Sequence, residues 1–205
     1  MIPKYWKQAT RELAACDEVM HKLILRFKGV ALRSRGDAFT TLARSIVGQQ
    51  ISVKAAESVW QKFSAAVADV TPHAVHAMDS AALRACGLSL RKVSYLQDLS
   101  LHFIDGTLNV SAWQDMDDET LIAELIQVRG IGRWTAEMFL IFHMLRPDVL
   151  PVDDLGLQRA LSMLYNANKP VSRLKMRAIA KPWQPWRSVA TWYLWRSLDP
   201  LPVEY

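Results

Sequence analysis

The sequence predicts an all-α protein, and three observations carry that expectation. Apolar residues recur at three- and four-residue spacing along nearly the whole chain. Ser, Thr or Asp stands at the head of most of these runs, where a helix needs an acceptor for its first free N–H groups. Strand-like character is confined to one short stretch, TLNVSAW (107–113). With 205 residues, 51% of them hydrophobic, the chain can bury a sizeable core in one or two domains.

The elements follow in order. Residues 3–15 and 17–28 each present an apolar helical face, and Asp17 between them suits an N-cap. GVALRSRGD (29–37) reads as a loop, and DAFTTLARSIVG (37–48) as the next helix. QQIS (49–52) interrupts it, and Ser52 can cap SVKAAESVWQKFSAAVA. Thr71-Pro72 opens a further turn of helix, with proline at the first helical position. Asp79 can cap DSAALRAC, which Gly87 ends, and Ser89 starts LRKVSYLQDLSLHFI, which stops at Asp105-Gly106. After the strand-like stretch, DDETLIAELIQV (117–128) starts at Asp117 or Asp118. RWTAEMFLIFHML (133–145) is apolar on nearly every side, so it belongs in a buried centre. Asp153 or Asp154 begins LGLQRALSMLY, Ser172 starts SRLKMRAIA, and WQPWRSVATWYLWRSL (183–198) closes the series. No repeat or low-complexity linker divides the chain, so about ten helices in a single unit, 1–205, are expected.

Lys and Arg total 25 against 20 for Asp and Glu, a net charge of +5. That balance fits a polyanionic partner, although many ordinary enzymes share it. Cys16 and Cys86 cannot form a disulfide framework, a four-Cys zinc site or a four-Cys iron–sulfur cluster; they read as two buried apolar thiols in a reducing cytosol. The opening MIPKYWKQATRELAAC lacks the apolar core of a signal peptide, and charges interrupt every apolar stretch short of a membrane span. Among the histidines only His73 and His76 have ligand spacing, and they read as a surface pair.

Chemistry concentrates in VRGIGRWTAEM (128–138) and LPVDDLG (150–156). Gly130 and Gly132 permit a tight reversal between helices, with Ile131 as its core anchor. The following helix N-terminus then offers bare N–H groups to an anion such as phosphate, with Arg129 and Arg133 adding charge. A plain helix–turn–helix connection without a ligand is the competing reading. After Pro151, one of Asp153 and Asp154 serves as N-cap; a second carboxylate exceeds what capping needs and suits a general base or an electrostatic stabiliser.

The turn pattern V-x-G-I-G-x-x-T-A resembles the helix–hairpin–helix of DNA repair proteins, placed here at 117–145. With LPVDDLGLQR, KPWQPWRSVATWYLWR and the upstream RSIVGQQISVKAA (44–56), the chain resembles the HhH-GPD superfamily of DNA glycosylases over residues 37–198. The flavour is that of the 3-methyladenine DNA glycosylase II family, in a short form without an N-terminal α/β domain. The resemblance implies two helical lobes around a DNA-binding cleft. It also implies a catalytic Asp followed five residues later by Arg. Asp154 with Arg159 fits that spacing and Asp153 does not, which leaves Asp153 as cap or support.

Bifunctional members carry a lysine nucleophile where this chain has Trp134. Indole cannot form a Schiff base, so the resemblance implies a monofunctional enzyme that frees alkylated (N3- or N7-methylated) purines and leaves an abasic site. Trp134 and Trp195 fall on base-pocket positions, as do Met138 and Leu155, where some relatives have tyrosine. Indole faces suit a flipped cationic purine through stacking and cation–π attraction. Trp60, Trp113 and Trp192 read as core. From the IVGQQ turn the resemblance makes Val47 the apolar wedge, beside Gly48, with Gln49 and Gln50 reaching the opposite strand. No cofactor is required, but a structural Na+ or K+ is implied on the backbone carbonyls of Ile126, Val128 and Ile131. The implied partner is double-stranded DNA containing damaged bases, bound by a cytoplasmic, nucleoid-associated monomer with no membrane contact. A bifunctional glycosylase/lyase, a non-catalytic DNA-binding module and a helical protein-interaction domain remain alternatives at this stage.

Overall fold

Helix initiation obeys local side-chain chemistry. The computed structural model describes residues 2–34 and 36–198; Arg35, in the expected 29–37 loop, lies outside the described residues. Helix α1 spans Trp6–Cys16, and Asp17 then opens α2 (Glu18–Arg26) by accepting the N–H of Met20 at 3.0 Å. Asp37 does the same for α3 (Ala38–Gly48), Ser52 for α4 (Val53–Val67) and Thr71 for α5 (Pro72–Ala77). Asp79 opens α6 (Ser80–Ala85) and Ser89 opens α7 (Leu90–Ile104). Asp117, rather than Asp118, opens α8 (Asp118–Leu125). The series ends with α9 (Arg133–Phe142), α10 (Leu155–Tyr165) capped by Asp154, α11 (Arg173–Ala180) capped by Ser172, a 3-10 turn at Lys181–Trp183, and α12 (Arg187–Leu198). Each such cap satisfies an orphan N–H and contributes about 1 kcal/mol. The described residues hold twelve α-helices, slightly more than the expected ten, and α5 and α6 are the shortest at six residues each.

No strand occurs among the described residues, which corrects the reading of TLNVSAW. The stretch is a series of turns, and within it only Leu108 and Trp113 are buried, five positions apart. Glu124 imposes this shape: its Oε1 accepts the N–H of Asn109 and the indole N–H of Trp113, both at 2.7 Å. The Trp113 ring packs edge-on against Phe103 and Phe139.

The described residues form two compact units. The central unit runs over 36–139, and Phe39, Leu42, Ile46, Phe63, Leu96 and Leu121 are among its fully buried or nearly buried side chains. The terminal unit joins the N-terminal segment up to 34 with 140 onward. Leu13, Met20, Leu157, Leu161, Val189 and Leu194 belong to its core. There Asp17 does more than cap: its Oδ2 also accepts the Tyr165 hydroxyl and the Trp183 indole N–H, each at 2.9 Å. One carboxylate thus ties α2 to α10 and to the 3-10 turn.

Residues 135–141 of α9 are buried without a break, as the all-round apolar pattern requires. The helix stops at Phe142, short of the expected 145, and Leu145 takes a left-handed φ of 54°. Trp60, Trp113 and Trp192 are core residues, as expected. No helix among the described residues is long and apolar enough to cross a membrane.

Candidate active site

In the terminal unit the two acids of LPVDDLG part company. Asp153 is exposed and pairs with Arg173 on α11. Asp154 is buried, with 8% of its surface exposed, and its Oδ1 accepts two N–H donors: Leu157 at 2.6 Å and the Trp195 indole at 2.7 Å. This corrects the expectation that Asp153 serves as cap. The capping acid and the buried acid are the same residue, because Asp154 is the last extended position before α10. Arg159 lies exposed on α10.

Trp195 is half-buried on α12, and its ring stacks on Phe142 with centroids 5.6 Å apart and planes 12° from parallel. Gly156 makes the Asp154–Trp195 bond possible. A Cβ there would lie 3.1 Å from Asp154 Oδ1 and 3.1 Å from Trp195 Cδ1. Leu155, beside the carboxylate, is 78% exposed. The result is a carboxyl group beside aromatic surface, with one oxygen oriented by two donors. Such a group stabilises positive charge with little reorganisation.

The central unit holds the glycine turn. Gly130 has φ +88°, and a Cβ on it would come within 2.2 Å of the Tyr95 ring, so both backbone and packing require glycine. Ile131 is buried and anchors the turn, as expected. Gly132 differs: its φ is not left-handed and a Cβ would meet nothing within 4 Å. It precedes α9 without a side chain to cap it, whereas nine other helices open on a capping Asp, Ser or Thr. Trp134, in the first turn of α9, is 38% exposed, and Met138 is buried one turn on.

Arg129 and Arg133 bracket the turn but do not offer unmatched charge, which corrects that expectation. Arg129 donates its N–H and its Nε to Asp98, each at 2.8 Å. Arg133 bonds Glu119 through both terminal nitrogens and Glu137 through Nε at 3.0 Å. The guanidinium holds the Glu119 carboxyl below its ordinary range, and Glu119 in turn raises Arg133. Both arginines brace the hairpin.

The IVGQQ turn also needs a correction. Val47 is completely buried in α3, so its side chain cannot act as a wedge. Gly48 and Gln49 are half-buried, and Gln49 donates its side-chain amide to the Gly130 carbonyl at 2.8 Å. Gln50 is the exposed residue of the turn and holds a left-handed φ of 58°. At the hairpin, the Val128 carbonyl accepts the N–H of Ile131 at 3.1 Å, and Ile126 sits at the carbonyl end of α8. No cluster of His, Cys, Asp or Glu suited to a metal occurs among the described residues.

The model of the HhH-GPD superfamily base excision DNA repair proteins matches residues 43–185, which include the hairpin, Asp154 and most of the supporting helices. The chain belongs to that superfamily. This HhH-GPD chain is 31% identical over 180 residues to DNA-3-methyladenine glycosylase 1 of Schizosaccharomyces pombe, covering 86% of this chain and 79% of that protein. It spans 59% and 66% of the length of two Bacillus subtilis relatives. The crystal structure of a DNA-3-methyladenine glycosidase from Bacillus halodurans superposes with a TM-score of 0.85 at 32% identity, covering 93% of this chain and 89% of the other. A Schizosaccharomyces pombe 3-methyladenine DNA glycosylase in complex with abasic DNA superposes with a TM-score of 0.82 at 29% identity, covering 97% and 99%.

In each unit of this HhH-GPD chain, supporting residues were missed at the level of sequence. Phe142, Tyr95 and Asp98 sit far along the chain from their partners, and no local pattern marks them. Gly156 did carry a signal. A glycine within the first turn of an apolar helix loses helix propensity, so it calls for a packing reason.

Proposed function

We propose that this chain is a monofunctional DNA glycosylase that flips alkylated, N3- or N7-methylated purines out of duplex DNA and hydrolyses their N-glycosyl bond, leaving an abasic site. The observation that carries this reading is the buried Asp154 carboxylate, oriented by Leu157 and Trp195 beside an exposed Leu155. The names of the relatives, 3-methyladenine glycosylases of bacteria and yeast, support the substrate class.

The chemistry follows from the charge. A ring-methylated purine is already cationic, so its departure needs little help from an acid. As the C1′–N bond breaks, the base leaves with the bonding electron pair and the deoxyribose becomes oxocarbenium-like. Asp154 stabilises that cation and orients the water that adds at C1′. Trp134 occupies the position where a lyase needs an amine, so the abasic sugar is released without strand cleavage. Trp134, Met138, Leu155 and Trp195 are assigned to the base pocket, with Trp134 and Trp195 offering indole surface to the cation.

The glycine turn and the start of α9 take a backbone phosphate. Gln50, not Val47, supplies the side chain that enters the duplex where the base has left. The resemblance assigns the backbone carbonyls of Ile126, Val128 and Ile131 to a Na+ or K+ ion; as hard oxygen donors they would stiffen the hairpin around it. The protein is assigned as a monomer that acts on damaged duplex DNA in the cytoplasm, at the nucleoid. The test is to incubate it with methylated and with deaminated duplex DNA and to identify the released bases, with Asp154→Asn as control. Release of methylated purines by the wild type alone supports the reading. Release of no base, or strand nicking at the product site, overturns it.

A further inference from the structure

Three residues spaced by three along α7, Lys92, Tyr95 and Asp98, each hold a backbone segment that the glycosylase reading places against DNA. Lys92 Nζ donates to the Val47 carbonyl at 2.7 Å, at the C-terminal end of α3. The Tyr95 ring occupies the space where a Cβ on Gly130 would fall. Asp98 takes both the N–H and the Nε of Arg129. Gln49 closes the circuit by donating to the Gly130 carbonyl. One face of one helix therefore bears both the 47–50 turn and the hairpin.

We propose that Lys92 is a positioning residue for base flipping: through the Val47 carbonyl it fixes the turn that carries Gln50 in register with the phosphate-gripping hairpin. The inference rests on the proposed DNA glycosylase function. A cation at a helix C-terminus meets unsatisfied carbonyls and the negative end of the helix dipole, so the lysine suits this place. The turn needs such a tie because Gln50 holds a backbone conformation that non-glycine residues rarely adopt unless their surroundings impose it. A side chain pushed into a base stack is pushed back with equal force. That load passes along the turn to Lys92 and Gln49. The hairpin, fastened separately by Tyr95 and Asp98, keeps its phosphate whether or not a base is flipped.

The test compares two duplexes of one sequence, one undamaged and one carrying a tetrahydrofuran abasic analogue, by fluorescence anisotropy at fixed salt. Lys92→Met is expected to weaken binding of the abasic duplex about tenfold, the loss of one charge-assisted hydrogen bond. Its binding of the undamaged duplex should stay within about twofold of wild type. Lys92→Arg keeps a cationic donor and should restore the preference, while Asp98→Asn should weaken both duplexes alike by loosening the hairpin. Equal losses on both duplexes in Lys92→Met, no loss on either, or failure of Lys92→Arg to restore the preference overturns the proposal. So does loss of a cooperative melt in Lys92→Met, which makes the lysine a folding residue. A wild type that binds neither duplex overturns the DNA reading itself, a result distinct from a wild type that prefers the abasic duplex while Lys92→Met does so equally.

Discussion

Trp195 donates its indole N–H to the Oδ1 of Asp154 across 2.7 Å, while its ring lies stacked on Phe142. The tryptophan thus does two things at once: it offers aromatic surface and it aims the carboxylate. Trp195→Phe separates them, because it keeps a ring on Phe142 and removes the donor. Base release should fall about tenfold, the value of one hydrogen bond to a charged group. The thermal midpoint should fall by a few degrees, because the same bond contributes to the fold, while a cooperative melt is kept. Single-turnover base release beside a thermal melt checks this, and unchanged release removes the indole N–H from the mechanism.

Gly156 sets stability against activity. It lies in α10 with an ordinary helical φ, so alanine should stabilise the helix by about 0.8–1 kcal/mol. The added Cβ would press on both Asp154 and Trp195 at 3.1 Å. Gly156→Ala is therefore expected to melt no lower than wild type and to release base several-fold more slowly, with roughly tenfold as the scale of a disturbed charged hydrogen bond. Melting curves and single-turnover rates on the same preparation decide it.

The two glycines of the hairpin should fail differently. Gly130→Ala must displace the Tyr95 ring and strain a left-handed backbone, at a cost of about 2 kcal/mol or more. Gly132→Ala meets open space and should leave stability within about 0.5 kcal/mol. It does put a methyl where a phosphate approaches. DNA affinity should therefore drop in Gly132→Ala without a stability loss, as read by chemical denaturation and anisotropy side by side.

Much of this was legible in the sequence, and the limits follow range. Asp17, Ser52, Thr71, Asp79, Ser89 and Ser172 were readable as caps because a cap reaches only two or three residues ahead. The burial of Ile131 and of the α9 centre followed from periodicity alone. Val47 was readable too: Phe39, Ala43 and Val47 recur every four residues on the buried face of α3, a phase that the wedge assignment overlooked. The choice between Asp153 and Asp154 as cap was not readable, since either could open α10 until Leu157 and Trp195 were seen on the same oxygen. Nor were the Asp98–Arg129 and Phe142–Trp195 pairs, whose partners are distant in sequence.

Acid should weaken the ties around the hairpin. Hydrogen bonds from the Thr120 side chain and N–H hold the Asp117 carboxyl below the ordinary range of an aspartate, and Arg133 holds Glu119 below that of a glutamate. Both carboxyls have folded values depressed below their unfolded ones. Their contribution to stability is fully present above those unfolded values and is lost as pH falls through the folded values. The thermal midpoint should stay level from about pH 7 to about pH 5 and decline below about pH 4. Glu119→Gln should make that decline shallower, and a decline equal to that of wild type removes the Glu119–Arg133 pair from the acid response.

Asp154→Asn tests most directly whether the buried carboxylate of Asp154 carries out base excision. Asparagine caps a helix as well as aspartate does and retains an oxygen for the Leu157 and Trp195 donors, so the fold is kept while the charge is removed. The measurement is single-turnover release of base from duplex DNA carrying N3- and N7-methylpurines, with the affinity for an abasic-analogue duplex read in parallel. The expected result is a loss of release of at least about a hundredfold, the scale of removing a preorganised electrostatic group, with DNA affinity retained. Release by Asp154→Asn close to the wild-type rate would contradict the account.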